Sequence, residues 1–165
     1  MSIALLSSFR SKDKYTQNGA CIVGKNNKII GIGYNGLPKG LSDDNSKYWT
    51  DDDTILEKSR HSYVIHAEKN AILNSISRDL EGTRIFVTQF PCNHCAQMII
   101  QVGISEVIYL RKKEKNEEWV KKNKVVETMF EEVGIEVISY YDINPKDTEF
   151  IEELAEEYEE TYGLD

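Results

Sequence analysis

At 165 residues, with 40% apolar and 29% charged side chains, the chain has the size and balance of one globular domain with a continuous core. Its formal net charge of -8 argues against general binding to nucleic-acid polymers, which attract clustered Lys and Arg, but leaves room for a small anion met by a few local basic groups. No apolar run approaches the ~20 residues that span a bilayer. Met1–Arg10 has no basic region ahead of its apolar stretch, so a membrane role and a cleaved signal peptide are not expected, and the cytoplasm is the expected location.

In chain order, residues 3–9 read as a short amphipathic helix. Ala20–Val23 and Ile29–Tyr34 are apolar, β-rich runs separated by Lys25-Asn26-Asn27-Lys28, the pattern of a hairpin. Gly36–Arg60 is polar and aspartate-rich, punctuated by Gly36, Pro38 and Gly40, and reads as a long loop with one helical turn at most. His66–Ile76 has helical spacing through Ala67, Ala71, Ile72 and Ile76. Arg84–Thr88 is an expected strand, Asn93–Val102 a helix ended by Gly103, and Glu106–Leu110 a strand. Glu117–Val133 is an expected helix ended by Gly134, and Ile135–Tyr140 the last strand. This alternation predicts right-handed crossovers, parallel later strands, and a mixed five-stranded α/β sheet with helices on both faces. Beyond Pro145 the composition shifts: Thr148–Tyr162 carries seven Glu and reads as a solvated helix, with an interaction tail as the alternative.

The residues that carry chemistry are His66-Ala67-Glu68 and Pro91-Cys92-Asn93-His94-Cys95. Three cysteines are too few for a disulfide framework, and a Cys-x-x-Cys spacing by itself means metal binding or redox chemistry. Cys92 and Cys95, on the first turn of a helix, present both sulfurs to one side. Pro91 suits the helix entry, and the positive helix end favours the thiolates that bind metal. With His66 they make three zinc ligands and leave a tetrahedral vertex for water, as a catalytic site requires. Glu68 is read as the proton shuttle and not as a ligand, because residues i and i+2 of a helix point about 200° apart. The unpaired N–H of Ala67 in the first turn is a candidate donor to a base carbonyl. A closed structural site needs a fourth ligand, and Cys21, His61 and His94 are poorly positioned to be one. The order H-x-E, then P-C-x-x-C, is the pattern of zinc deaminases.

The chain resembles the deoxycytidylate (dCMP) deaminases of the cytidine deaminase-like superfamily over roughly residues 9–140. The resemblance runs through Arg10-Ser11-Lys12-Asp13, Gly19–Val23, Gly31–Gly36, Pro38, Gly40, Ser42-Asp43-Asp44, Tyr63-Val64, His66-Ala67-Glu68-x-Asn70-Ala71-Ile72, Phe90-Pro91-Cys92, and Cys95-Ala96 leading to Gly103-Ile104. It implies a three-layer cytidine deaminase-like fold over 1–145, with 146–165 an acidic helix or tail of the same domain. It implies hydrolysis of dCMP to dUMP with one Zn2+ per chain, a homohexamer, activation by dCTP with Mg2+ and inhibition by dTTP. By the same resemblance Asn35 bonds the deoxyribose, and Gly36, Leu37, Pro38, Lys39, Gly40, Asp43 and Asp44 contribute to the effector site. Arg10, Ser11 and Lys12 are candidates for the monophosphate or for solvent-facing positions at a helix end, and Tyr63 for the base pocket or simple packing; Tyr34 and Trp49 are expected to pack.

The chain departs from that pattern in a short stretch before Arg10, in Asn18 for the usual valine, in Leu41 where some members have cysteine, and in the acidic tail. Within the enzyme class the rivals are deaminases of free cytidine, of a tRNA adenosine or of a modified dCMP. The acidic composition argues against the tRNA reading. Outside it, the rival is a non-catalytic zinc module, for which Glu68 would have no purpose.

Overall fold

Ser2–Ser8 (α1) opens the chain as a short helix in the computed structural model, which describes residues 1–162. Gly19–Val23 (β1) and Ile29–Tyr34 (β2) then form the expected hairpin, registered from Gly19 opposite Tyr34 to Val23 opposite Ile29. Ala67–Leu73 (α2), Arg84–Gln89 (β3), Asn93–Gln101 (α3), Glu106–Arg111 (β4), Glu117–Val133 (α4) and Glu136–Ser139 (β5) follow. The chain continues through Tyr140–Ile143 (α5) and Pro145–Tyr162 (α6). The five strands make one mixed sheet in the order β2-β1-β3-β4-β5. β1 is antiparallel to both neighbours, while β3, β4 and β5 run parallel.

Alternation along the strands divides the core between the two faces of the sheet. Ile85, Val87 and Val107 bury against Ala71, Ala96, Ile99, Val126 and Phe130, residues of α2, α3 and α4. Ile108 and Leu110 point the other way, into a cluster with Leu5 of α1 and Ile151 and Ala155 of α6. Phe130, Ile22, Ile85 and Ile99 are fully buried, each adding roughly 1.5–3 kcal/mol by removal from water. α2 sits unusually close to the sheet because β2 offers glycine beneath it. A Cβ on Gly33 would lie 2.3 Å from both the Ala67 oxygen and the Ala71 nitrogen. That contact sets the position of the helix that follows His66.

The structure departs from the sequence reading in several places. α2 stops at Leu73, short of Ile76, because the Ile76 N–H donates to the Ile30 carbonyl at 2.8 Å and pulls the chain back to β2. His66 precedes that helix as its cap residue. The long loop carries three 3-10 turns instead of one helical turn, at Ser46–Trp49, Leu56–Lys58 and Arg60–Ser62. Its ends are joined by two backbone hydrogen bonds between Gly36 and Ile65, at 3.1 and 2.9 Å. The last strand is shorter than expected, since Tyr140 begins α5. α6 starts at Pro145 and is amphipathic: Thr148, Ile151 and Ala155 are buried, and Tyr158 stacks on Phe9 with centroids 3.8 Å apart. Residues 163–165 of the expected acidic tail lie outside the described residues. Among the described residues no helix is long and apolar enough to cross a membrane.

Candidate active site

The starts of α2 and α3 meet at His66 and the two cysteines. His66 holds extended backbone (φ -65°, ψ 153°) as the cap of α2, and Cys92 does the same (φ -76°, ψ 167°) as the cap of α3. Pro91 therefore lies one residue ahead of the cap, outside the first helical turn where proline is most common. α3 begins just past the carboxyl end of β3, the edge of an α/β sheet at which ligands bind. His66 Nδ1 stands 3.4 Å from Cys92 Sγ and 3.4 Å from Cys95 Sγ. Zinc–sulfur bonds of about 2.3 Å and zinc–nitrogen bonds of about 2.0–2.1 Å at tetrahedral angles require an N···S separation of about 3.5 Å. The residues present fit the ion. Among the described residues no fourth side chain joins this triangle: His94 is exposed, Cys21 is buried within β1, and His61 lies near Asp51 and Asp53.

The electrostatics of the triangle follow from the closeness of its three groups. The Cys92 thiol is lowered to about 3, chiefly by the hydrogen bond from Cys95 and also by His66. Cys95 is raised by that same bond and by burial, so it keeps its proton. A coordinating thiol is deprotonated, and ion binding therefore releases a proton from this pair. His66 is raised by its hydrogen bond with Cys92, against the effect of its own burial. Glu68, one residue inside α2 and 7% exposed, is raised by burial, with the nearby His66 pulling in the opposite direction. A carboxyl group that holds a proton more readily than usual, beside a metal triangle it does not join, is suited to carry protons.

A cavity of about 350 Å³ opens over the triangle. Val64, Val87 and Phe90 line it with apolar surface; Ala67, Glu68 and Asn35 add polar groups. The Ala67 N–H lies in the first turn of α2, where the helix supplies no acceptor. Asn35 is heavily committed. Its amide nitrogen donates to Asp13 Oδ2 and the Thr16 carbonyl, and its Oδ1 accepts from the Asn18 N–H at 2.7 Å. It therefore offers a ligand one acceptor lone pair and no donor. Asn18, the polar residue at the entry to β1, lines the same cavity.

Several sequence-derived candidates lie elsewhere. Arg10, Ser11 and Lys12 are not in the cavity wall. The buried Ser11 hydroxyl donates to the Asn35 carbonyl at 2.7 Å and accepts from the Asp13 N–H, while Arg10 and Lys12 are exposed. Tyr63 also stays out: its hydroxyl donates to the Glu57 carbonyl and its ring packs edge-on against Tyr48, within the long loop. The segment holding Gly36, Leu37, Pro38, Lys39, Gly40, Asp43 and Asp44 is outside the wall as well. It folds on itself, with the Leu37 N–H donating to Asp43 Oδ1 and the Trp49 indole N–H to the Asp43 carbonyl.

Sequence reasoning missed the basic wall of the cavity: Arg60, Lys113 and Lys122, with Trp119 and Asn123. Arg60 enters from the long loop, and the others from the end of β4 and the start of α4. Local pattern contained no signal for them, because helix spacing marks Trp119 and Asn123 as ordinary face residues.

The family model described as the cytidine and deoxycytidylate deaminase zinc-binding region matches residues 1–111. The chain is 48% identical over 141 residues to a probable deoxycytidylate deaminase of Drosophila melanogaster, covering 82% of this chain and 68% of that one. It is 50% identical over 113 residues to the human deoxycytidylate deaminase, covering 68% of this chain and 63% of the human protein. It thus spans about two thirds of the length of these relatives. Among solved structures, the dCMP deaminase of cyanophage S-TIM5 in complex with dCMP and dUMP superimposes with a TM-score of 0.62. The sequence identity is 28%, and 82% of this chain and 90% of that one are covered.

Proposed function

The chain belongs to the cytidine and deoxycytidylate deaminase zinc-binding family, and from that premise we propose that it hydrolyses dCMP to dUMP and ammonia. The observation that carries the reading is the three-ligand triangle with Glu68 buried beside it at the base of a cavity of nucleoside size. The substrate class is favoured by the human relative, a deoxycytidylate deaminase, and by the cyanophage complex with dCMP and dUMP.

His66, Cys92 and Cys95 would hold zinc, which when bound supplies Lewis acidity that makes water a nucleophile at neutral pH. The rest is done by the chain. Glu68 takes a proton from the attacking water as the new C4–O bond forms, and delivers it to N3 of the base. It then relays the second proton to the amino group, so that the C4–N bond breaks with ammonia as the leaving group. The Ala67 N–H donates to the base carbonyl, and Val64, Val87 and Phe90 exclude water from the ring faces. Asn35 Oδ1 accepts from a deoxyribose hydroxyl through its remaining lone pair.

The family resemblance also supports a role on the route to thymidylate and assembly as a homohexamer, with the cytoplasm as the proposed location. It supports activation by dCTP with Mg2+ and inhibition by dTTP, through the Gly36–Asp44 segment. A dCMP saturation curve with and without each effector tests the regulation, and indifference to both removes it. The activity is tested by a panel of dCMP, CMP, dCTP, deoxycytidine and adenosine on zinc-loaded protein. The expected result is preferential turnover of dCMP. Equal turnover of deoxycytidine and dCMP would refute the nucleotide assignment, and turnover of adenosine alone would move the chain to another branch of the superfamily.

A further inference from the structure

The cavity over the metal triangle contains two separate electrostatic neighbourhoods. One is the metal triangle, with the buried Glu68 beside it. The second neighbourhood is the basic wall, and its cations are not equivalent. Arg60 is committed to Asp13 at 2.8 Å and Asp51 at 2.9 Å. Lys122 is paired with Glu118 at 2.6 Å, and His61 has Asp51 and Asp53 within 3.8 Å. Lys113 differs from all of these. Among the described residues it has no carboxylate within ion-pair distance, although its neighbour Lys112 has Glu114 at 3.5 Å and Glu127 at 2.5 Å.

Lys113 is also held in place. The buried Asn123 side chain donates to the Lys113 carbonyl at 2.8 Å, fixing the segment that follows β4 against α4. The ammonium sits 5.1 Å from the centre of the Trp119 ring, so its stem and head are packed along the cavity wall. Its charge is depressed first by burial and then by the cationic Arg60 and Lys115, with Asp13 partly offsetting them. A half-buried, unpaired ammonium among other cations is electrostatically costly unless an anion comes to it.

The geometry points to Lys113 as the residue that selects a 5′-monophosphate, with its ammonium against the Trp119 ring in the cavity wall and its backbone fixed by the Asn123 hydrogen bond. This rests on the nucleotide reading above and deepens it. It replaces Arg10, Ser11 and Lys12, which are not in the cavity wall, as the phosphate-recognising group. A phosphate dianion there would give Lys113 the charge-assisted partner it lacks and would relieve its repulsion with Arg60 and Lys115. The neutral 5′-hydroxyl of a nucleoside would do neither.

The test compares the unaltered protein with Lys113→Gln and Lys113→Arg, all zinc-loaded. It measures kcat/KM for dCMP and deoxycytidine, and calorimetric affinity for dUMP and deoxyuridine. Lys113→Gln is expected to lose on the order of 10–100-fold in kcat/KM for dCMP, chiefly through KM, and a similar factor in dUMP affinity. Deoxycytidine turnover and deoxyuridine affinity should hold, and Lys113→Arg should recover most of the loss. A dCMP preference that survives in Lys113→Gln, or an equal loss on dCMP and deoxycytidine, overturns the assignment while leaving the reaction intact. No dCMP preference in the unaltered protein overturns the nucleotide reading itself, and this assignment with it.

Discussion

Replacing Glu68 by glutamine removes a proton carrier while leaving volume and most hydrogen bonding in place. The side chain is 7% exposed, and its carboxyl is pushed towards the protonated form by burial, so folding already works against its charge. The neutral amide relieves that opposition, and Tm should be equal or higher. Zinc content should be unchanged, because Glu68 stands outside the triangle of His66, Cys92 and Cys95. Turnover is another matter. A positioned general acid–base contributes about 10²–10⁴-fold, or about 2.7–5.4 kcal/mol of barrier at 1.36 kcal/mol per tenfold. Glu68 serves both water and the departing amine, so the upper half of that range applies and kcat should fall at least about a thousandfold. Ammonia release from dCMP, metal analysis and a thermal melt on the same preparation measure all three quantities. A variant that keeps zinc and turns over within tenfold of the unaltered protein would refute the proton-shuttle role.

Cys92→Ser should lose metal and stability together, since a hydroxyl is a poor zinc donor and the remaining pair leaves the site open. Metal per chain should drop from about one towards zero and Tm should fall; full zinc occupancy would contradict the ligand assignment. Gly33→Ala places a methyl carbon 2.3 Å from two α2 backbone atoms that cannot rotate away. Overpacking of this kind costs about 1–3 kcal/mol, a Tm loss on the order of 3–10 °C. Activity should fall with it because α2 carries Glu68, and a melt identical to the unaltered protein would mean that α2 is not seated as described.

The mixed sheet was legible in the sequence because hairpin, strand and helix patterns are local. Ile29–Tyr34 and Glu117–Val133 emerge with the expected bounds, the latter closed by Gly134 in the left-handed region at φ 73°. α2 was overrun by three residues, since the apolar Ile76 fits a helical period equally well. A backbone hydrogen bond to Ile30, more than forty residues away, takes it out of the helix. The C-terminal segment read as solvated because of its glutamates, yet Ile151 and Ala155 make it a packed layer against Leu5 and Ile108.

From the linear chain alone came the chemistry: an imidazole, two thiols three residues apart and a carboxyl, each near a helix start, all of them local patterns. Packing decided the rest. It brought His66 to the two sulfurs across 26 and 29 residues. It gave Ser11 to Asn35, and it left Lys113 in the wall without a carboxylate partner among the described residues. Which polar group is left without a partner depends on neighbours contributed by distant segments, and spacing along one element contains no information about them.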